Sequence, residues 1–493
     1  MNEVPTHTPR DDKAYGAKGS EEHQLESGAI SLFESCVMAV AGSAPAYSIA
    51  ASTATLFGAV ALGGPASLLY CGVAMFGIVF AFNFLGQEEA NAGASYSWVR
   101  RALHPSLGYL SGWALLVSTM LFVVFGSFPA GSVTLGLFST SLANNVADVT
   151  LVGSIFFLAI VVVIAMGIRI TAKVQVAMSS VEVVLLVLFA TLALVHGHRV
   201  HSFSWSWFSP SIFHGSTGFF GGALVAAFYY WGWDVVANLN EETKGARKTP
   251  GMGGLIGVGV VFILFEAFAI GTNLVLSSHT IVSNAGDVLV VLGQAVWPGL
   301  GGKLVVVAVV LSTIATLETS LIQLTRTLFA MGRDGTMPRV FGRLHATRKT
   351  PIIATITVAV IGIALFVASN FIGPIGSIFS DAINALGLQI SVYYSLAGFS
   401  VVVLYRKQIF RSVKNFLFMG LWPLVGALFM TTMFIKIVPT LNNATRAVGL
   451  GALALGLVPM AYYWARGNPY FKMPTKLERL ARVQEVEEIE ELL

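Results

Sequence analysis

Twelve apolar segments follow one another along this chain, and their length restricts its fold more than any other feature of the sequence. A segment of about 20 apolar residues crosses the hydrocarbon core of a bilayer as a helix, and a helix satisfies its own backbone hydrogen bonds there. The sequence therefore predicts an all-α integral membrane protein with about twelve transmembrane helices. The segments, numbered spans 1 to 12, lie near residues 30–60, 65–85, 106–138, 149–169, 174–195, 217–241, 252–277, 301–331, 352–371, 376–404, 415–437 and 446–465.

The low content of charged residues supports a lipid environment. Of the 493 residues, 55% are hydrophobic and only 11% are charged. A soluble domain carries about 25% charged residues, so this chain has too little charge to cover the surfaces of several soluble domains. We expect the first apolar segment to stay in the membrane, because the basic segment and short apolar run of a cleaved signal peptide do not precede it.

The positions of Lys and Arg predict the orientation, because the cytoplasmic loops of membrane proteins are enriched in basic residues. With the N-terminus in the cytoplasm, four basic residues lie in the outer loops: Arg199, Lys303, Lys436 and Arg446. The sixteen that lie in the cytoplasmic loops are Arg100, Arg101, Arg169, Lys173, Lys244, Arg247, Lys248, Arg333, Arg339, Arg343, Arg348, Lys349, Arg406, Lys407, Arg411 and Lys414. We therefore expect a multi-pass protein of the plasma or inner membrane with both termini in the cytoplasm.

Two spans are interrupted by residues that disfavour a helix. Span 1 contains Pro45, which removes a backbone donor and clashes with the preceding turn. Span 6 contains Gly232 between Trp231 and Trp233. The interruptions lie about 190 residues apart, and the long spans 3 and 8 lie about 195 residues apart. Such offsets indicate two repeats of five helices, and the odd number makes the second repeat inverted. Interrupted helices at matching positions in two halves are typical of a transporter's binding site.

These repeats divide the chain into five predicted regions. A cytoplasmic tail covers residues 1–29, and the first transmembrane repeat covers residues 30–195. The second repeat covers residues 217–404, and the two remaining helices cover residues 415–465. A second cytoplasmic tail covers residues 466–493.

A helix that ends inside the membrane leaves backbone N–H groups without partners, and its positive end suits a carboxylate. Carbonyl groups freed at the same place suit an ammonium group. The alternative is that Gly and Pro only let neighbouring helices pack closely, but two breaks at matching offsets favour a binding site. The predicted substrate-binding residues are Gly42, Ser43, Ala44, Tyr47, Tyr230, Trp231, Gly232, Trp233, Asp234 and Glu318.

Four parts of the chain have a distinctive pattern. They read GSAPAYS at 42–48; AGASYSWV at 92–99 with GYLSGW at 108–113; FYYWGWD at 228–234 with EETKGARKTP at 241–250; and RTLFAMGRDGTMP at 326–338. Through them the chain resembles the amino acid–polyamine–organocation (APC) permease superfamily. The resemblance implies a fold of the leucine-transporter type, with 5+5 inverted repeats, discontinuous spans 1 and 6 and two added helices. It also implies alternating access and an amino acid or amine as the substrate.

Ionisable side chains inside the membrane are costly and are functional candidates. Glu182 in span 5 resembles a position where several proton-coupled relatives carry a lysine, so we predict a coupling role; the alternative is a structural carboxyl group bonded to span 1 or 8. Asp234 could orient a substrate ammonium group or hold the interrupted backbone. Glu318 in span 8 would favour a cationic or diamine substrate if it faces the bundle, and otherwise it is a hydrogen-bonded packing residue.

Other side chains have more ordinary expected roles. The rings of Tyr47, Tyr230, Trp231 and Trp233 flank the breaks and could attract an ammonium group by cation–π contact. Four further charged residues are then placed as follows: Glu34 pairs with a loop arginine as a gate, Arg326 snorkels or pairs, Asp381 lies near the outer end of span 10, and Glu266 has no firm placement.

The sequence thus predicts a permease rather than an enzyme. It has none of the motifs of an intramembrane protease and no nucleotide-binding loop, and it predicts no metal, no cofactor and no nucleic-acid partner. The expected partners are a small amino acid or amine, the bilayer and a proton as coupling ion. An exchanger and a nutrient sensor without transport are the alternatives. The sequence leaves the substrate and the oligomeric state open.

Overall fold

The computed structural model describes residues 24–472, except 197, 285–286 and 370–374, and these residues are built almost wholly from helices. The predicted tails 1–29 and 466–493 therefore lie largely outside the described residues. The helices that occupy the predicted spans are α1 (Leu32–Ser43), α2 (Pro45–Val60), α3 (Gly64–Glu88), α4 (Pro105–Gly136), α5 (Val146–Ala165), α6 (Ile168–Val195), α7 (Gly215–Tyr229), α8 (Thr249–Val275), α9 (Gly301–Arg333), α10 (Ile352–Ser369), α11 (Ile375–Leu404), α12 (Trp422–Ile437), α13 (Asn443–Leu455) and α14 (Leu457–Ala465).

Within the described residues, ten helical stretches are long and apolar enough to cross a membrane. One of them, Leu32–Glu88, covers predicted spans 1 and 2 together. The helix in span 6, α7, is only 15 residues long because it ends at the interruption. Helices therefore occupy all twelve predicted windows, and the prediction of an all-α membrane protein is confirmed. The count of twelve spans, their repeat topology and their orientation stay predictions.

Burial separates central helices from peripheral ones. In the most apolar 18-residue segment of α9, 78% of the residues are buried, whereas in the corresponding segment of Asn443–Ala465 only 17% of the residues are buried. On the peripheral helix α5, Leu151, Ile155, Leu158 and Val162 form one exposed stripe at helical spacing. Such a continuous apolar surface is unsuited to water and suits lipid. The central helices are those that position the candidate site.

Small residues allow the helices to approach closely. A Cβ atom placed on Gly77 of α3 would lie 2.2 Å from Trp422 O, and one placed on Gly131 of α4 would lie 2.3 Å from Val149 O. Helix pairs in membranes associate through such contacts, because lipid provides no hydrophobic drive between them. The glycines therefore set how near α3 lies to α12 and α4 lies to α5.

The starts of the helices follow local rules. At the start of α1, Ser31 and Glu34 form a capping box, in which Ser31 N donates to Glu34 Oε2 at 2.8 Å. α3, α4 and α8 each have a proline in their first turn, where the missing N–H would have no helical partner.

Candidate functional site

The first interruption lies between α1 and α2. α1 ends at Ser43, Ala44 adopts a left-handed conformation with φ 47° and ψ 62°, and α2 begins at Pro45. Left-handed backbone is strained for any residue with a Cβ atom, and Pro45 has no N–H with which to continue α1. Ser48 Oγ donates to the carbonyl of Ser43 at 2.9 Å and satisfies one group freed by the break. Span 1 is therefore broken where the sequence predicts.

The start of α2 is held by side chains from distant helices. The backbone N–H of Ala46 donates to Glu182 Oε1 of α6 at 3.0 Å, and that of Tyr47 donates to Ser312 Oγ of α9 at 3.1 Å. Glu182 is fully buried, and its carboxylate is favourable at the positive end of a helix. The structure thus shows Glu182 bonded to span 1, as one of the two predicted alternatives has it. Its coupling role stays a prediction.

The second interruption follows α7, which ends at Tyr229, and it meets the first one directly. Gly232 has φ +94°, and a short helix, Val235–Asn238, continues the chain. A Cβ atom on Gly42 would lie 2.1 Å from Gly232 O, and a Cβ atom on Gly232 would lie 2.2 Å from Gly42 O. Only glycine fits at both positions. The two breaks, about 190 residues apart in sequence, therefore touch through their backbones.

Asp234 is held by two helices of the second half. Its Oδ1 accepts a hydrogen bond from Tyr394 Oη of α11 at 3.0 Å, and its Oδ2 accepts one from Gln323 Nε2 of α9 at 2.8 Å. Trp231 Nε1 donates to Tyr393 Oη at 2.7 Å. The break in span 6 is therefore fixed by neutral polar side chains, which supports the backbone-holding alternative for Asp234. A role toward a substrate ammonium group stays a prediction.

A cluster of aromatic rings lies beside the breaks. The rings of Tyr47 and Phe122 meet edge to face with centroids 5.6 Å apart, and those of Phe122 and Trp231 do so at 5.3 Å. The Phe228 ring lies 6.3 Å from that of Tyr47. All four side chains are buried, so the cluster brings two predicted site residues together and closes the space around them.

Trp233, within the second break, packs against α3 and α11. Its ring stacks on Tyr394 with centroids 6.0 Å apart and meets Phe82 edge to face at 5.2 Å. Its Nε1 is buried and donates to none of the described residues.

Two predicted site residues lie away from the contact between the breaks. Tyr230 Oη donates to the carbonyl of Leu68 at 3.1 Å, so this side chain points toward α3. The hydroxyl of Thr316 in α9 donates to Gly42 O at 3.1 Å and so faces the breaks. Glu318 lies two residues further along α9, which corresponds to a rotation of about 200° around the helix axis. Glu318 therefore faces away from the breaks, where its Oε1 is buried and accepts no hydrogen bond from the described residues.

Several residues that position the site were not apparent from the sequence. They are Phe122, Ser312, Gln323, Tyr393 and Tyr394. The spacing of Ser312, Thr316 and Gln323 places them on one face of α9, and that polar stripe is a signal that could have found them. The aromatic residues are indistinguishable in sequence from ordinary packing residues.

A buried ion pair closes one end of the bundle, on the side predicted to be cytoplasmic. Arg326 Nε and Nη2 lie 3.1 and 2.9 Å from the two carboxylate oxygens of Glu242, and each side chain is 1% exposed. Arg326 is thus a pairing residue. The backbone N–H groups of Ala29 and Ile30 donate to Glu242 O at 2.8 and 3.1 Å. The segment before α1 is therefore tied to the loop that follows span 6.

The structure also gives hydrogen-bond partners for two other charged side chains, Glu34 and Asp381. Glu34 makes no ion pair in the part of the chain that the structure describes, because its carboxylate is used in the capping box with Ser31. In this conformation the structure shows no partner for a gate at Glu34, and that role stays a prediction. Asp381 Oδ1 accepts hydrogen bonds from Asn442 Nδ2 and Thr445 Oγ1, both at 2.7 Å, and ties α11 to the start of α13.

These features define a class of multi-pass, all-α membrane proteins in which two interrupted helices meet at a buried polar site. A family model described as "Amino acid permease" matches residues 30–457. The chain belongs to this amino acid permease family, and the resemblance to the APC superfamily is confirmed.

Three relatives illustrate the range of the family. The chain is 25% identical over 317 residues to the uncharacterized amino acid permease YecA of Bacillus subtilis (strain 168), covering 61% of this chain and 69% of YecA. It is 24% identical over 392 residues to the serine/threonine exchanger SteT of the same organism, covering 77% and 83%. It is 23% identical over 417 residues to the low-affinity putrescine importer PlaP of Escherichia coli (strain K12), covering 80% and 85%. These relatives are named as transporters and not as enzymes.

Proposed function

We propose that this protein is a secondary active transporter that moves amino acids or related amines across a membrane by alternating access. The observation that carries the proposal is the backbone contact between Gly42 and Gly232, because it joins two helix breaks into one buried site. Broken helices free backbone groups at the depth where a polar solute needs partners. Membership of the permease family supports the same function.

Alternating access requires the site to open toward one side at a time. The side chains at the breaks are buried, and the Arg326–Glu242 pair together with the bonds from residues 29–30 closes the predicted cytoplasmic end. Opening that end would separate Arg326 from Glu242, and the two repeats would rotate about the backbone contact at the breaks. The sixteen basic residues predicted on this side support an orientation with both termini in the cytoplasm.

Glu182 is the proposed coupling residue. Because its carboxylate accepts the N–H of Ala46, a change in its protonation would alter the bond that positions α2. A hydrogen bond to a charged group contributes about 1.5–3 kcal/mol, enough to shift a balance between two conformations. Proton symport through Glu182 is the first mode that we propose, and exchange of one solute for another is the second.

Uptake of labelled amino acids and amines into proteoliposomes tests the function. Accumulation driven by an inward proton gradient, and lost in Glu182→Gln, would support proton symport. Uptake that requires solute inside the vesicle, whatever the gradient, would support exchange. Binding with no flux under either condition would refute transport and favour a nutrient sensor.

A further inference from the structure

The backbone donors at the break in span 1 are already used within the protein. Ala44 N donates to Ala41 O at 3.0 Å, and Ser48 N donates to Ala44 O at 2.8 Å. Between them, Pro45 has no N–H, and Ala46 and Tyr47 donate to Glu182 and Ser312. The free helix terminus that would receive a substrate carboxylate is therefore occupied by a carboxylate of the protein.

Glu182 also determines the charge at the start of α2. Its Oε1 accepts the N–H of Ala46, while its Oε2 is buried and accepts no hydrogen bond from the described residues, although the Ser312 hydroxyl lies close to the carboxylate. When Glu182 is ionised, a substrate carboxylate placed here would lie beside a like charge and would lack donors, which disfavours it on both counts. An ammonium group would instead supply the donor that Oε2 lacks.

The second break also contains a buried carboxyl group, whose two oxygens already accept hydrogen bonds from Tyr394 and Gln323. Asp234 places another buried carboxylate there, and the rings of Tyr47 and Trp231 lie next to the breaks with Phe122 between them. Carboxylates and aromatic faces together suit an organic cation. Arg326, the buried cation of α9, is paired with Glu242 at the far end of the helix.

We propose that the site selects organic amines that have no free carboxylate, with Glu182 standing at the α2 terminus in place of the carboxylate of an amino acid. The proposal rests on the proposed transport function and names the substrate class within it. Glu182 Oε1 holds α2, and Oε2 accepts a hydrogen bond from the substrate ammonium group. A zwitterionic amino acid with the same side chain binds less well because of its carboxylate.

Matched pairs of an amino acid and its decarboxylated amine test the selection. Suitable probes are ornithine with putrescine, lysine with cadaverine, and phenylalanine with phenethylamine. Equilibrium binding to the purified full chain is measured by ligand-induced thermal shift, and uptake is measured in proteoliposomes. We expect the amine of at least one pair to bind about tenfold more tightly than its amino acid.

Preference for the amino acid in every pair that binds would overturn this inference and leave the transport proposal standing. Absence of binding and uptake for every probe would overturn both.

Variants of Glu182 test the assigned role. Glu182→Gln keeps an acceptor for Ala46 N but removes the charge, so the advantage of the amine over the amino acid should fall by about tenfold. Glu182→Ala should free the Ala46 N–H and strengthen amino acid binding relative to the amine. Asp148→Asn, in the first turn of α5, removes a charge elsewhere and should leave the ratio unchanged.

The readout is the ratio of two equilibrium binding constants measured at one pH, so it does not depend on a proton gradient or on flux. Each variant is first checked for a single symmetric peak in size-exclusion chromatography, and Glu182→Gln is the decisive one if Glu182→Ala fails to fold. An unchanged ratio in folded Glu182→Gln would refute the role of Glu182.

Discussion

The contact between the two breaks makes Gly42→Ala the sharpest test of the site. The added Cβ atom would lie 2.1 Å from Gly232 O and 2.7 Å from Gly232 C. Ordinary van der Waals contact begins near 3.4 Å, so the two backbones would have to separate by roughly 1 Å. No flexible side chain can absorb the change, because both atoms belong to the backbone.

The expected cost follows from these contacts. Overpacking a core typically costs about 1–3 kcal/mol, and a clash with backbone belongs at the upper end of that range. Separation would also stretch the bond from Thr316 Oγ1 to Gly42 O, now 3.1 Å, whose loss costs about 1 kcal/mol. We therefore expect Gly42→Ala to lower the free energy of unfolding by about 3–4 kcal/mol. Displacement of the site by 1 Å should lower uptake on the order of a hundredfold.

The assay compares apparent unfolding temperature in detergent with uptake in proteoliposomes. Gly259→Ala is the matched control, because nothing lies within 4 Å of its added Cβ atom in α8. That variant should be neutral or more stable by up to about 1 kcal/mol, since alanine favours a helix more than glycine does. If Gly42→Ala unfolds and transports like Gly259→Ala, the contact between the breaks does not exist as described.

Three further predictions test neighbouring parts of the site. Glu242→Gln should destabilise the protein by about 3–5 kcal/mol, because it leaves Arg326 buried and unpaired. The double variant that adds Arg326→Met should recover most of the loss in apparent unfolding temperature. If the two substitutions instead lower that temperature additively, Glu242 and Arg326 do not form a direct pair. Asp234→Asn keeps the shape of the side chain but removes its charge, so amine binding measured by thermal shift should weaken about tenfold. Unchanged amine binding would exclude a contact between Asp234 and the substrate. Tyr230→Phe should cost about 1 kcal/mol of stability through the lost hydrogen bond to Leu68 O, while uptake stays near that of the wild type. Loss of uptake in a stable variant would instead support the predicted role of Tyr230 in substrate binding.

Local chemistry made some features readable from the sequence. The apolar windows, the break at Pro45 and the permease family follow from residues that act through their own backbone or their immediate neighbours. Pro45 has no N–H with which to continue α1, and this effect is local to its own backbone. The contact of Gly42 with Gly232 was suggested only indirectly, by the matching offset of two breaks.

Side-chain partners could not be read in the same way. Ala46 and Glu182 are 136 residues apart in sequence, and whether they meet depends on the rotation and packing of α2 and α6. Glu34 illustrates the converse, because its carboxylate accepts a hydrogen bond from the nearby Ser31 in a local capping box rather than from a distant arginine in this conformation.

The sequence by itself determined that the chain is an all-α membrane protein with two broken helices, because bilayer thickness and backbone hydrogen bonding leave few alternatives to such a pattern. Its motifs added the resemblance to a permease family. Only the tertiary structure decided which side chains reach the breaks. A helix turns about 100° per residue, so Thr316 reaches Gly42 while Glu318, two residues on, faces away. The same packing put Glu182 at the start of α2, and with it the carboxylate on which the proposed choice of substrate depends.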